Sequence, residues 1–261
     1  MVIIICALST AIYAGPEALP SGKEIKEIAP APPACPSWAG FYVGIAGGYK
    51  FAPVDIDLRL IDEWEFFRSE GDIIQSKGSG DFLDTSGAEL GGLIGYNFQL
   101  NNWVLGLETS GAYLWLRDFE DSGPFLIDFP GFYTTDYSVR TAFRTHYNAT
   151  FGGRIGYALC RWMPYVTGGG AMGDVDFEQR VIQHGPPFHQ GGRHSDTNLG
   201  WMIGGGLEYA LNNHWRLRLQ YQYADLGSED FEHSTTDPDF FGNTEIDLRE
   251  HNVSFGIIYR F

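Results

Sequence analysis

The sequence predicts an all-β chain folded as an eight-stranded antiparallel β-barrel. Three observations lead there. Apolar and aromatic residues recur at every second position through many stretches, which is the period of a strand and not of a helix. Those stretches are joined alternately by very short and very long connections. Aromatics form 15% of the chain and glycine occurs 34 times, which suits sheets and tight turns better than helix bundles.

The closing stretch shows the alternation most plainly. Val253, Phe255, Ile257, Tyr259 and Phe261 lie on one side of it, with Ser254, Gly256 and Arg260 on the other. Side chains two apart share a strand face, so one face is oily and the other small or polar. In a barrel that crosses an outer membrane, the oily face meets lipid and the other a polar interior. A transmembrane barrel is therefore expected. No run approaches about 18 consecutive apolar residues, so no membrane-spanning helix is.

The same grammar recurs upstream. Trp215, Leu217, Leu219, Tyr221 and Tyr223 alternate with Arg216, Arg218, Gln220 and Gln222, and Trp201, Ile203, Leu207 and Tyr209 precede them across the turn 211–213. Leu90, Ile94, Tyr96 and Phe98 run through Asn101-Asn102 into Trp103, Leu105, Leu107, Tyr113 and Trp115. Tyr147, Phe151, Ile155 and Tyr157 lead to a turn at Cys160-Arg161, beyond which either Tyr165 or Val166 faces outward. Phe41, Val43, Ile45, Tyr49 and Phe51 form the first oily face.

Strands are thus expected over about 41–52, 86–98, 103–116, 140–159, 162–176, 196–210, 214–227 and 246–261. The links 53–85, 117–139, 177–195 and 228–245 read as long extracellular loops, with the short turns and both termini at the periplasmic end. Pairing the last strand with the first leaves no free edge. Aromatics fall where two membrane interfaces would lie. Trp103, Trp162, Tyr209, Trp215, Tyr259 and Phe261 gather near the short turns, and Tyr113, Trp115 and Trp201 near the opposite end. A soluble barrel would put aromatics inside and would not turn Glu108, Glu208, Arg216 and Arg218 inward.

Three segments follow. Residues 1–14 read as an export signal, 15–37 as a proline-rich periplasmic linker and 38–261 as the barrel. Cys35 and Cys160 are the thiols left after export and would lie at the same barrel end. A disulfide, crosslinks to neighbours or two free thiols all remain open.

The segment Trp38-Ala39-Gly40-Phe41-Tyr42-Val43-Gly44, after a proline-rich linker, resembles the opening strand of the Omp25/Omp31-type surface proteins. That group belongs to the wider OmpA-like outer-membrane β-barrel family. The closing Tyr259-Arg260-Phe261 agrees, and the resemblance covers about residues 38–261. It implies a barrel in the outer membrane of a Gram-negative-type bacterium. It implies little about activity, because such families range over structural, porin-like, adhesive and haem-binding roles.

Parity turns Lys50, Glu89, Glu108, Arg144, His146, Arg154, Glu208, Arg216, Arg218 and Arg260 inward. Registering Tyr209 opposite Trp215 sets Glu208 opposite Arg216, and opposite charges in a low-dielectric lumen attract strongly. The expected outcome is a salt-bridge network of Glu108, Arg154, Glu208, Arg216, Arg218 and Arg260 that closes the lumen. The alternative is a narrow porin-like channel for small solutes. Inner glycines such as Gly44, Gly91, Gly95 and Gly206 either leave room for it or serve only curvature.

No catalytic residue, metal site or cofactor is expected. His251 and Ser254 are three apart on a strand and face opposite sides, which disfavours a lipid-A-modifying hydrolase. His184, His189 and His194 would offer imidazoles to haem or a metal only as loop residues. The net charge of −16 argues against nucleic acid. The acids, including Asp55, Asp57, Asp81 and Asp84, gather in the expected loops, where divalent cations or host surface molecules are candidate partners. Other expected partners are outer-membrane lipid and lipopolysaccharide, and the barrel assembly machinery acting on the C-terminal strand. The expected function is non-enzymatic: envelope integrity together with contact to the host or environment.

Overall fold

The computed structural model describes residues 35–62, 68–129, 131, 133–185, 187–235 and 240–261. The export signal and nearly all of the linker expected above lie outside the described residues. The elements are β1 (Gly40–Asp62), α1 (Arg68–Gly78), β2 (Gly80–Leu100), β3 (Trp103–Phe129), β4 (Tyr133–Tyr157), β5 (Trp162–His184), β6 (Pro187–Ala210), β7 (Trp215–Glu232), a two-residue β8 (Ser234–Thr235) and β9 (Phe240–Arg260). The eight long strands pair antiparallel in chain order. β1 then pairs with β9, from Tyr42↔Arg260 to Asp62↔Phe240, and closes the ring.

The short connections match the turn chemistry of the sequence. Leu100 pairs with Trp103 around Asn101, whose φ is 56°, and Leu159 bridges Trp162 around Cys160, also at φ 56°. A left-handed residue lets a two-residue turn follow the strand twist, and asparagine tolerates it well.

The long connections differ from expectation. Most of 53–85, 117–139, 177–195 and 228–245 continues the strands instead of forming loops. β3 alone has 27 residues, whereas about 9–11 suffice to cross an outer membrane. The reason lies in an alternation that keeps its parity while its chemistry inverts. In β1, Phe41, Ile45, Tyr49 and Phe51 face out, and then Asp55, Asp57 and Arg59 take over the same outer face. Its inner face passes from Tyr42 and Lys50 to Ala52, Val54, Ile56 and Leu58, all buried. β9 mirrors this: Ile257, Phe255 and Val253 give way outside to Arg249, Asp247 and Glu245, while Ile246 and Leu248 turn inward. Asp55, Asp57, Glu245 and Asp247, which mark loops by composition, are every second residue of strands that have left the membrane.

The extracellular half therefore turns charged side chains to water and packs a largely apolar core. Val54, Leu114, Phe143, Phe177 and Leu248 pack in one cluster. Above it, Leu58, Ile127, Tyr137, Val139 and Val181 hold Ile74 of α1, which is wholly buried. The helix, not anticipated from the sequence, is tied down by the Gln179 amide donating to the Gly78 carbonyl at 2.8 Å. Gln179 also accepts from Thr244, and the Thr244 hydroxyl lies 2.8 Å from Nε2 of His233.

A bulge in β4 corrects two inward assignments. Between Arg144 and Asn148 the register with β5 shifts, so Thr145 points in while Arg144 and His146 are exposed on the outer wall. Asp174 of β5 braces the bulge, accepting the backbone N–H of His146 at 2.8 Å and of Tyr147 at 2.6 Å. An extra residue flips every later side chain, and only pairing with a partner strand reveals it.

Burial holds the imidazole of His233 down at about 4, below its ordinary value of 6.5. The unfolded chain then binds a proton more readily than the folded one between these values. Stability is complete above pH 6.5 and falls as pH drops towards 4, by up to about 3 kcal/mol. Amide-exchange protection factors across residues 240–250 are expected to decline over that window. The decline should vanish in His233→Gln.

Candidate functional site

The periplasmic half of the lumen is filled by side chains that the strand alternation turns inward. Tyr42 of β1 and Tyr165 of β5 enter first, both nearly fully buried. Each needs a glycine opposite: a Cβ on Gly95 would stand 2.3 Å from the Tyr42 hydroxyl, and one on Gly206 would stand 2.6 Å from the Tyr165 hydroxyl. Gly95 and Gly206 thus make room for the two rings. The structure also answers the open orientation in β5, with Tyr165 inside and Val166 61% exposed outside.

The two rings flank Arg154, whose guanidinium carbon sits 4.1 Å from the Tyr165 centroid and 5.7 Å from that of Tyr42. Arg154 Nη2 donates to Glu208 Oε1 at 2.6 Å, and Nη1 to Glu108 Oε2 at 3.2 Å. Arg218 donates to both oxygens of Glu108 at 2.7 Å and to Glu208 through Nε at 3.0 Å. The Tyr42 hydroxyl completes Glu108 at 2.6 Å. Two cations and two anions thus alternate in a closed set, the arrangement that offsets the desolvation of each.

The network differs in register from the sequence reading. Glu208 lies opposite Arg218, and Ala210 opposite Arg216, because the connection 211–214 is longer than the turn assumed. A shift of two residues preserves the inward parity, so the same residues meet with changed partners. Arg216 Nη1 remains 4.0 Å from Glu208, while its Nη2 donates to the Ser37 carbonyl at 2.9 Å and its guanidinium stacks 4.5 Å from the Trp38 ring. Arg260 stands outside the network and donates to the Ala39 and Asn213 carbonyls at 2.5 and 3.0 Å.

Trp38 is a lumen residue that the strand pattern does not reveal. Its indole is buried, packs with Val104, Met163 and Ala210, and donates to the Cys160 carbonyl at 3.1 Å. The linker enters the barrel mouth at this point, and a Cys35–Cys160 disulfide ties it to the β4–β5 turn. Period two ends at Gly40, so nothing in the pattern marks Trp38 as inward. Nor does the pattern reveal Glu250 as the partner of Lys50, 2.6 Å apart and 200 residues distant in sequence.

Above the charge cluster lies a cavity of mixed lining, with Glu89, Asn148, Gln222 and Asn252 on it beside Leu93 and Leu226. The apolar cluster of the extracellular half sits beyond it. On the outside, Trp103 packs on Tyr157, Trp162 on Tyr209 and Trp215 on Tyr259, which in turn meets Phe261. Tyr113 packs on Trp115 and Trp201 on Tyr223 at the other end of the apolar band. His251 lies against Tyr221 on the outer face, whereas Ser254 lines the cavity. Of the loop histidines, the side chain of His189 lies outside the described residues, and His184 contacts Ser138 at 3.2 Å. Among the described residues no group of three or more His, Cys, Asp or Glu is arranged to hold a metal.

A family profile for the outer membrane protein beta-barrel domain matches residues 28–261. The chain belongs to that family. Among its relatives, the 31 kDa outer-membrane immunogenic protein of Brucella melitensis is 32% identical over 238 residues, 88% of either chain. The 22 kDa outer membrane protein of Rhizobium leguminosarum is 26% identical and covers 86% of this chain and 79% of its own. Among solved structures, Ail of Yersinia pestis aligns over 85% of this chain and 99% of its own, with a TM-score of 0.38 and 13% identity. The protein is an outer-membrane β-barrel surface protein of the Omp25/Omp31 type, set among outer-membrane lipid and lipopolysaccharide.

For this outer-membrane barrel, Glu208→Gln is expected to lower stability by about 3 kcal/mol, since it leaves two buried guanidinium groups, Arg154 and Arg218, sharing the single carboxylate of Glu108. Glu108→Gln should cost less, because the Glu108 side chain keeps 15% exposure against 1% for Glu208. The midpoint of heat-modifiable migration in detergent measures both. Maleimide labelling is expected to find no free thiol at Cys35 or Cys160 before reduction and both after it.

Proposed function

We propose that the protein is a closed, non-enzymatic outer-membrane barrel that supports envelope integrity and carries an extended acidic rim into the surroundings. One observation carries this reading: the cross-section holding Arg154, Arg218, Glu108 and Glu208 is packed between two tyrosine rings. A solute would have to separate buried opposite charges to pass, which costs several kcal/mol for each ion left unpaired. Trp38 and Arg216 close the periplasmic side below, and the apolar core with Ile74 closes the extracellular side above.

The outer aromatics are read as interface anchors: Trp103, Trp162, Tyr209, Trp215, Tyr259 and Phe261 at the periplasmic boundary, and Tyr113, Trp115 and Trp201 at the extracellular one. The strand ending at Phe261 is the segment assigned to the barrel assembly machinery. The rim, with Asp55, Asp57, Glu245 and Asp247 on its wall, is the surface read as meeting divalent cations or host molecules. His251 and Ser254 belong to opposite faces, which favours no hydrolase.

The rival reading, a narrow channel, draws on the cavity around Gln222 and Asn252. Planar-bilayer recording separates the two. The folded protein is expected to add no steady conductance. A stable open current that disappears on replacing Arg216 and Glu208 would overturn the closed barrel and establish the pore.

A further inference from the structure

The outer wall of β3 and β4 holds an arrangement that neither lumen packing nor rim hydration explains. Arg117 and Arg144 face each other directly across the strand pair, and both are exposed. Like charges in that position repel, by up to about 1 kcal/mol relative to a neutral pair. Asp176 stands directly opposite Arg144 on β5 but lies 3.7 Å from Arg193 instead, and among the described residues no carboxylate is within ion-pair distance of Arg117 or Arg144, in a chain of net charge −16. The neighbouring cations are engaged: Arg140 pairs with Asp121 at 2.9 Å, and His146 lies 2.9 Å from Asp174.

Their height on the barrel is specific. Arg117 follows the exposed Trp115 by one outward step, about 7 Å along the strand. Arg144 follows Tyr147 across the bulge that turns it outward in the first place. The pair thus stands immediately beyond the extracellular aromatics, at the level of lipid headgroups. The next outward residue, Phe119, is 60% exposed and sits opposite Ala142. An apolar ring beside two guanidinium groups that make no ion pair suits a surface that is phosphate on one part and hydrocarbon or sugar on another.

We propose that Arg117 and Arg144, with Phe119 beside them, form a binding site for a phosphate group of lipopolysaccharide in the outer leaflet. Guanidinium groups form paired hydrogen bonds to phosphate oxygens, and one bound phosphate relieves the repulsion between the two arginines. The site takes over locally the task of the divalent cations that otherwise bridge lipid phosphates. It rests on the outer-membrane location of the protein and is independent of whether the lumen is closed.

The test uses full-length protein folded in detergent, titrated with lipid A carrying its phosphates and with dephosphorylated lipid A, in chelator. Tryptophan fluorescence reads binding. Wild type is expected to prefer the phosphorylated form by about tenfold or more, as two charge-assisted contacts imply. Arg117→Gln with Arg144→Gln should abolish the preference, while Arg59→Gln with Arg249→Gln, which removes the same charge elsewhere on the outer wall, should retain it. Equal affinity of wild type for the two lipids overturns the proposal without recourse to any variant. Equal loss in both double variants reduces the effect to general electrostatics and overturns it too. Bilayer conductance is unaffected by either result, so failure here leaves the closed-barrel reading standing.

Discussion

A closed ring of paired strands allows each residue only two directions, and this one constraint organises the molecule. Because the strands pair all the way round the ring at the level of the apolar band, the backbone groups of that wall find partners on neighbouring strands, which is what lets the wall cross lipid. Because the alternation does not slip from one end of β1 to the other, the protein can change the solvent on each face without changing the fold. Lipid outside and charge inside become water outside and hydrocarbon inside within two or three residues, between Phe51 and Asp55.

That inversion explains why the interior has two different ways of being full. In the membrane half the inner face must be compatible with a polar lumen, so it is built from Arg154, Arg218, Glu108 and Glu208, held by tyrosine rings seated over Gly95 and Gly206. In the extracellular half the outer face meets water and the inner face packs as in any soluble domain, down to a helix whose Ile74 completes the core. The cavity lies at the seam, where neither solution applies fully. Lys50 and Glu250 meet there as a single ion pair.

The departures from strict alternation are where the surface acquires individual character. The bulge at 144–148 takes Arg144 and His146 out of the lumen and hands Arg144 to the outer wall beside Arg117. The four-residue connection 211–214 moves Arg218, not Arg216, into the centre of the charge cluster and leaves Arg216 to stack on Trp38. Both are local events of one or two residues, and both decide which charges are neutralised and which remain available.

From the amino-acid order alone came the barrel, its eight strands at membrane length, the short turns at Asn101 and Cys160, and the inward set Lys50, Glu108, Arg154, Glu208, Arg216 and Arg218. Period two and turn chemistry are local properties, written in residues that are neighbours in the chain. Tertiary structure alone decided that the acidic stretches are strands, since their apolar halves (Val54, Ile56, Ile246, Leu248) find a core only when the ring is closed. It also decided the partners: Lys50 with Glu250, Arg154 with Glu208, Cys35 with Cys160. Register and bulges are settled by the strand alongside, and a single sequence carries no record of which residue will lie there.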